Sequence, residues 1–134
     1  RIISAKNRAL VRMINEKKTP EAPKTNSDEF ANIDQAIRTE HLYKEVNLQR
    51  QDICNRFGIN RHTLNDMLTH YSGGLSFPQY INAIRLEESL RMLHNEPNLT
   101  IAAIAKAVGF SPSNFREQFK QKYGMTPQEY RQNM

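Results

Sequence analysis

LQRQDICNRFGINRHTLNDM, residues 48–67, is echoed 51 positions downstream by LTIAAIAKAVGFSPSNFREQ, residues 99–118. Few side chains are identical, but the apolar and turn positions stay in register. Leu48 falls on Leu99, Ile53 on Ile104, Cys54 on Ala105, Gly58 on Gly109, Ile59 on Phe110, Leu64 on Phe115 and Leu68 on Phe119. In each copy a first helix is expected to turn an i, i+1, i+4 face inward (Ile53, Cys54 and Phe57 in the first). A glycine then lets the chain turn, and a second helix returns apolar residues four apart. These are the requirements of a helix-turn-helix. The echo continues at an offset of 50, where Gly74, Leu75, Ser76 and Tyr80 face Gly124, Met125, Thr126 and Tyr130. Two such units on one chain imply a double reader of duplex DNA.

Outward from the repeat, the pattern is helical from Asp28 to the end, with no run alternating at period two long enough for a sheet. The expected class is all-α. Phe30, Ile33, Ala36 and Ile37 mark a first helix ending before Leu42 and Tyr43. The two helix-turn-helix units span about 48–71 and 99–122. Between them a connecting helix is expected over about 76–95, because Ser76 with Gln79 makes a capping box and Pro78 suits the first turn. Leu86, Ser89, Leu90 and Leu93 form one stripe on it, and Ile81 and Ile84 add a neighbouring face, as for a helix wedged between two units. Thr100 caps the first helix of the second unit, and Ser111 with Pro112 opens its second. Thr126, Pro127 and Glu129 start a short last helix carrying Tyr130. Seven helices with tight turns leave little room for an active-site cleft.

The 134 residues suffice for one domain with a core, and 38% apolar with 25% charged is ordinary for a soluble protein. No run approaches a membrane span and no signal peptide is visible, and a single cysteine suits a reducing, cytoplasmic setting. The net charge of +5 is unevenly spread. Residues 1–27 hold seven Lys or Arg against Glu16 and Glu21, whereas residues 28–134 balance twelve basic against twelve acidic residues. DNA binding must therefore rest on how charges are placed. Residues 1–18 read as a short basic amphipathic helix, a connector in preference to a membrane-surface helix. Thr19 to Ser27 reads as a linker, giving a boundary between residues 1–27 and a DNA-binding region at 28–134. A chain starting at Arg1 is expected to be part of a longer protein whose upstream portion holds a sensor.

A connector of about 20 residues is roughly 30 Å long, and the major groove returns to one face of DNA every ~34 Å. Such a helix can hold two reading helices in successive grooves. The base-reading candidates are then the residues that the second helix of each unit leaves outside. They are Arg61, His62, Asn65 and Asp66 in the first and Ser113, Asn114, Arg116 and Glu117 in the second. Arginine suits guanine edges, asparagine adenine, and carboxylates the amino group of cytosine. Arg50, Arg56, Lys106, Lys120 and Lys122 lie near helix ends and are candidates for phosphate contacts.

The run Gln51 to Ile59 with Leu64 resembles the AraC/XylS family of bacterial transcription activators. So do Tyr80-Ile81 followed by Arg85-Leu86-Glu87, Ile104-Ala105 with Val108-Gly109-Phe110, and the ending Phe119-Lys120, Gly124-Met125-Thr126-Pro127, Tyr130-Arg131. The resemblance covers about Asp28 to Met134. It implies seven helices with two helix-turn-helix units on one long helix, promoter binding, and contact with RNA polymerase. Arg1 to Lys18 resembles the connector that follows a membrane segment and sensor in some members, so the full-length protein is expected to be membrane-anchored. Two departures stand out. Four residues separate Phe110 from Phe115 where the family usually has five, so the second reading helix starts in a different register. Asp66 stands where many members have a basic or neutral residue, which either sharpens discrimination or weakens that half of the interface. Low intrinsic affinity raised by dimerisation through the upstream region follows as an expectation.

Other chemistries find little support. Cys54 matches Ala105 and reads as a small core residue. His41, His62, His70 and His94 have no metal-site spacing, and Ser72-Gly73-Gly74 follows a helix without the Gly-Lys-Ser/Thr ending of a phosphate loop. No acid-base pair suggests an enzyme, and no cofactor, metal or small-molecule ligand is expected. The alternative function is a protein-interaction module that kept the scaffold and lost DNA affinity.

Overall fold

The structure, a computed structural model, describes residues 24–134, with side chains from residue 27 onward. Among them are seven α-helices: α1 (Lys24–Thr39), α2 (Arg50–Phe57), α3 (Arg61–Tyr71), α4 (Phe77–Asn95), α5 (Ile101–Val108), α6 (Pro112–Tyr123) and α7 (Pro127–Gln132). A 3-10 turn at Leu42–Lys44 joins α1 to the loop before α2. The basic stretch at residues 1–18 lies outside the described residues. One expectation is corrected. α1 begins at Lys24, inside the stretch read as linker, because no proline or glycine follows Pro23 until the helix has ended. A helix fixed by Phe30, Ile33 and Ile37 can therefore propagate backward at one hydrogen bond per residue.

Short polar side chains set the helix starts, at Ser76, Thr100, Ser111 and Thr126 as the sequence indicates and at Asn60 in addition. The Asn60 side chain accepts the Thr63 N–H at 2.8 Å, Thr100 accepts that of Ala103 at 3.0 Å, and Ser111 that of Asn114 at 3.3 Å. Ser76 and Gln79 form the reciprocal box at 3.3 and 3.0 Å, and Thr126 with Glu129 does the same at 3.1 and 2.9 Å. Each cap satisfies amide groups that the first helical turn cannot, a contribution of about 1 kcal/mol.

α4 is the spine. At 19 residues it is about 28 Å long, and it packs against α3, the 3-10 turn, α5, α6 and α7. Burial therefore runs around it: Phe77, Tyr80, Ile81, Ile84, Arg85, Leu86, Ser89 and Leu93 are all buried. Ser89 is tolerated at full burial because its hydroxyl donates to the Leu86 carbonyl at 2.7 Å. In the first half of the core Phe30 of α1 stacks on Tyr71 at 5.8 Å and leans on Tyr80 at 5.6 Å. In the second, Phe110, Phe115 and Phe119 follow one another at 5.8 and 5.6 Å, with Tyr123 and Tyr130 around Phe119.

The two halves are locked together at Arg85, an arginine set between Ile84 and Leu86 on the spine. Its Nε donates to the Tyr43 carbonyl at 2.7 Å, its Nη2 to that of Glu45 at 2.8 Å and its Nη1 to Asn82 at 3.0 Å. The guanidinium also lies over the Phe110 ring at 5.5 Å. Burial pushes its pKa down. Three hydrogen bonds keep the buried charge satisfied. Gly109 meets the same place: a Cβ on it would lie 2.6 Å from the Tyr43 carbonyl oxygen and 3.0 Å from Arg85 Nε.

Candidate nucleic-acid interface

Each helix-turn-helix is built from the same three-residue turn. Gly58 (φ 67°) or Gly109 (φ 100°) sits in the left-handed region, an apolar residue follows, and an Asn60 or Ser111 cap begins the second helix. In both, the apolar residue's N–H bonds back into the first helix, Ile59 to Cys54 at 3.1 Å and Phe110 to Ala105 at 2.9 Å. The four-residue spacing between Phe110 and Phe115 thus gives α6 the register of α3, with Arg116 where Asn65 stands and Glu117 where Asp66 stands.

Leu64, Met67 and Leu68 are buried on α3, and Phe115 and Phe119 on α6. The opposite faces are open. Arg61, His62, Asn65 and Asp66, and likewise Ser113, Asn114, Arg116 and Glu117, are all exposed. The two faces differ in what their side chains already hold. On α3 the His62 Nε2 lies 3.4 Å from the Asp66 carboxylate, an ion pair when the ring is protonated, and Arg50 of α2 donates to Asn65 Oδ1 at 3.3 Å. Among the described residues, the side chains of Arg116 and Glu117 on α6 make no hydrogen bond or ion pair of this kind.

Among the phosphate candidates, Lys106, Lys120 and Lys122 are exposed, and Lys122 Nζ lies 5.9 Å from the centre of the Tyr123 ring. Arg56 is engaged: its two Nη groups meet the Glu40 carboxylate at 2.6 and 2.7 Å, which raises the Arg56 pKa and lowers that of Glu40. A phosphate must compete with Glu40 for it. Arg50 is half-buried and stands with Arg61 beside an open groove of about 560 Å3, whose other walls are Leu48, Gln49, Gln51, Phe77 and Pro78. Unit charge is unequal too. Residues 48–71 carry Arg50, Arg56 and Arg61 against Asp52 and Asp66, a net of +1, whereas residues 99–122 carry Lys106, Arg116, Lys120 and Lys122 against Glu117, a net of +3.

Sequence reasoning gives no role to the residues that hold these faces in place. Arg85 is one. Arg131 is another, donating to the carbonyls of Leu99 at 2.6 Å and Glu96 at 3.0 Å and so tying α7 to the loop entering the second unit. Glu40 and Asp34 are the others: Asp34 accepts from Tyr80 and, with Glu87, from Arg38. A signal does exist for Arg85, a cation set between Ile84 and Leu86 on a helix apolar on several sides. None exists for Glu40, whose partner is 16 residues away.

Paired helix-turn-helix units on one spine, with polar outer faces on the second helix of each, define a DNA-binding domain. Residues 53–133 match the family model described as a helix-turn-helix domain. The chain belongs to the AraC/XylS type of this family and is a DNA-binding transcription regulator domain. It is 32% identical over 111 residues to the Msm operon regulatory protein of Streptococcus mutans, an alignment covering 82% of this chain and 39% of that protein. It is 34% identical over 80 residues to the transcriptional activator RhaS of Pectobacterium carotovorum, covering 59% and 28% respectively. The chain thus spans about two fifths or less of the length of these relatives. Its fold is similar to the C-terminal domain of the two-component response regulator yesN of Fusobacterium nucleatum, with a TM-score of 0.65 and 26% identity over 79% of this chain and 98% of that one. The C-terminal domain of AraT from Geobacillus stearothermophilus shares the fold at a TM-score of 0.67 and 21% identity, covering 86% and 89%. Among the described residues no helix is long and apolar enough to cross a membrane.

Proposed function

We propose that α3 and α6 enter successive major grooves on one face of a promoter, held there by α4, and that binding serves transcriptional activation. The observation that carries this reading is the repetition of one turn geometry at both ends of a 19-residue helix. Its length of about 28 Å approaches the ~34 Å return of the groove. In this reading Arg61, His62, Asn65 and Asp66, with Ser113, Asn114, Arg116 and Glu117, face base edges. Arg50, Lys106, Lys120 and Lys122 face phosphates. The activator named among the relatives supports the direction of regulation, and the family resemblance implies contact with RNA polymerase. The rival, an interaction module without DNA affinity, is not favoured by relatives that are transcription regulators.

Binding of the chain to a promoter-derived duplex across a salt series tests the reading. Each phosphate neutralised is expected to steepen the fall of log K with log salt by about 0.9. Lys120→Ala should lower affinity for all duplexes and flatten that slope, while Arg61→Ala should cost about 1–3 kcal/mol on the preferred sequence alone. A salt-independent affinity, or equal losses from both variants on preferred and random duplexes, would count against it.

A further inference from the structure

We propose that Arg50 positions Asn65 and so helps determine which base the first unit prefers, in addition to gripping a phosphate. The inference rests on the reading that α3 lies in a major groove. Arg50 is the first residue of α2 and lines the open groove with Arg61, Leu48, Phe77 and Pro78. Its Nε is shut off from solvent and has no hydrogen-bond partner. A buried guanidinium N–H without an acceptor is unfavourable, a cost that lysine, which has no Nε–H, would not incur. From the same guanidinium Nη1 donates to Asn65 Oδ1 at 3.3 Å.

An asparagine side chain has one oxygen and one NH2 group, and which edge it offers a base depends on what holds the oxygen. With Oδ1 tied to Arg50, the NH2 group of Asn65 is the end left free to donate, and the base edges it suits are the acceptors of the major groove: purine N7, guanine O6 and thymine O4. Without Arg50 the amide can turn over and offer its oxygen to the amino groups of adenine or cytosine instead. Phosphate grip and base choice thus meet in one guanidinium. The equivalent pair is absent from the second unit, where Ile101 takes the place of Arg50 and Arg116 that of Asn65.

The test uses duplexes selected by the chain from a random-sequence pool, together with every single-base variant of the preferred one. Asn65 is exposed, so Asn65→Ala reports base preference without threatening the fold, and thermal unfolding of Arg50→Ala and Arg50→Lys verifies that each still folds. Arg50→Ala is expected to relax preference, by about tenfold, at the same base pair that Asn65→Ala relaxes, with the double variant no more relaxed than either single one. Arg50→Lys, which keeps the charge, should restore affinity for random duplexes but not the preference. Uniform loss on all duplexes from Arg50→Ala would overturn the inference, as would additive losses in the double variant or a fully restored preference in Arg50→Lys. Failure to enrich any sequence would instead overturn the underlying reading of α3 as a groove helix.

Discussion

Gly58 and Gly109 occupy equivalent places in the repeat but face different surroundings. Both have positive φ, yet a Cβ on Gly58 would meet nothing within 4 Å, while one on Gly109 would collide with the Tyr43 carbonyl at 2.6 Å. Gly58→Ala should therefore cost only the left-handed backbone penalty, about 1–2 kcal/mol, whereas Gly109→Ala must also open the Arg85 lock and should cost about 3 kcal/mol or more. Denaturant unfolding of the two variants measures the gap, and equal penalties would show that the close approach is not tight. The Glu40–Arg56 pair gives a prediction of another kind. Arg56 holds the Glu40 carboxyl below its ordinary value, so its stabilisation is present above the ordinary value and is lost as pH falls through the lowered one. Glu40→Gln should be less stable than the parent at neutral pH, and the difference should disappear in acid. A gap that persists in acid would mean that Glu40 acts through packing rather than charge. Tyr80 behaves oppositely: burial and its bond to Asp34 push its pKa up. It remains a neutral donor, and any loss from its ionisation belongs to the alkaline range.

At the scale of the element, the caps are legible in the sequence because their chemistry is local. Ser76 and Gln79, Thr126 and Glu129, and the Thr100 and Ser111 caps all act within three residues of themselves. The repeat is legible for a related reason: Leu48 to Leu68 and Leu99 to Phe119 each carry their own turn and apolar face. Ser76→Ala should accordingly destabilise the domain by about 1 kcal/mol, while Ser113→Ala, on the exposed face of α6, should change stability by less than ~0.5 kcal/mol. Chemical unfolding monitored by helicity checks both, and equal effects would mean that the cap does not limit α4. Contacts between residues far apart in the chain are not legible. Arg85 reaches Tyr43 and Glu45 about 40 positions away, and Arg131 reaches Glu96 and Leu99 across more than 30. No periodicity announces a pairing at that range. The 3-10 turn that buries Tyr43 is hidden likewise, and so is the start of α1, because polar residues carry no periodic signal of their own. The outward faces of α3 and α6 can be named from the sequence, but not that Asn65 is tied to Arg50 or that Arg56 is engaged by Glu40.

At the scale of the molecule, the unequal charge of the two units, +1 against +3, suggests that they contribute differently to one interface. Under the proposed reading the second is expected to supply more of the salt-dependent attraction, while the first carries the polar groups already paired, Asn65 with Arg50 and His62 with Asp66. Removing Lys120 and Lys122 together should flatten the salt slope by about 1.8, more than any single change in the first unit. Everything at this scale depends on α4 acting as a stiff spacer with a reading helix at each end. The decisive measurement is selection of bound duplexes from a random pool, followed by footprinting of the preferred one. Two short preferred elements are expected, with centres about 10 base pairs apart and protection on one face of the helix. A single element bound with full affinity, or two elements free to vary in spacing, would contradict a stiff spacer.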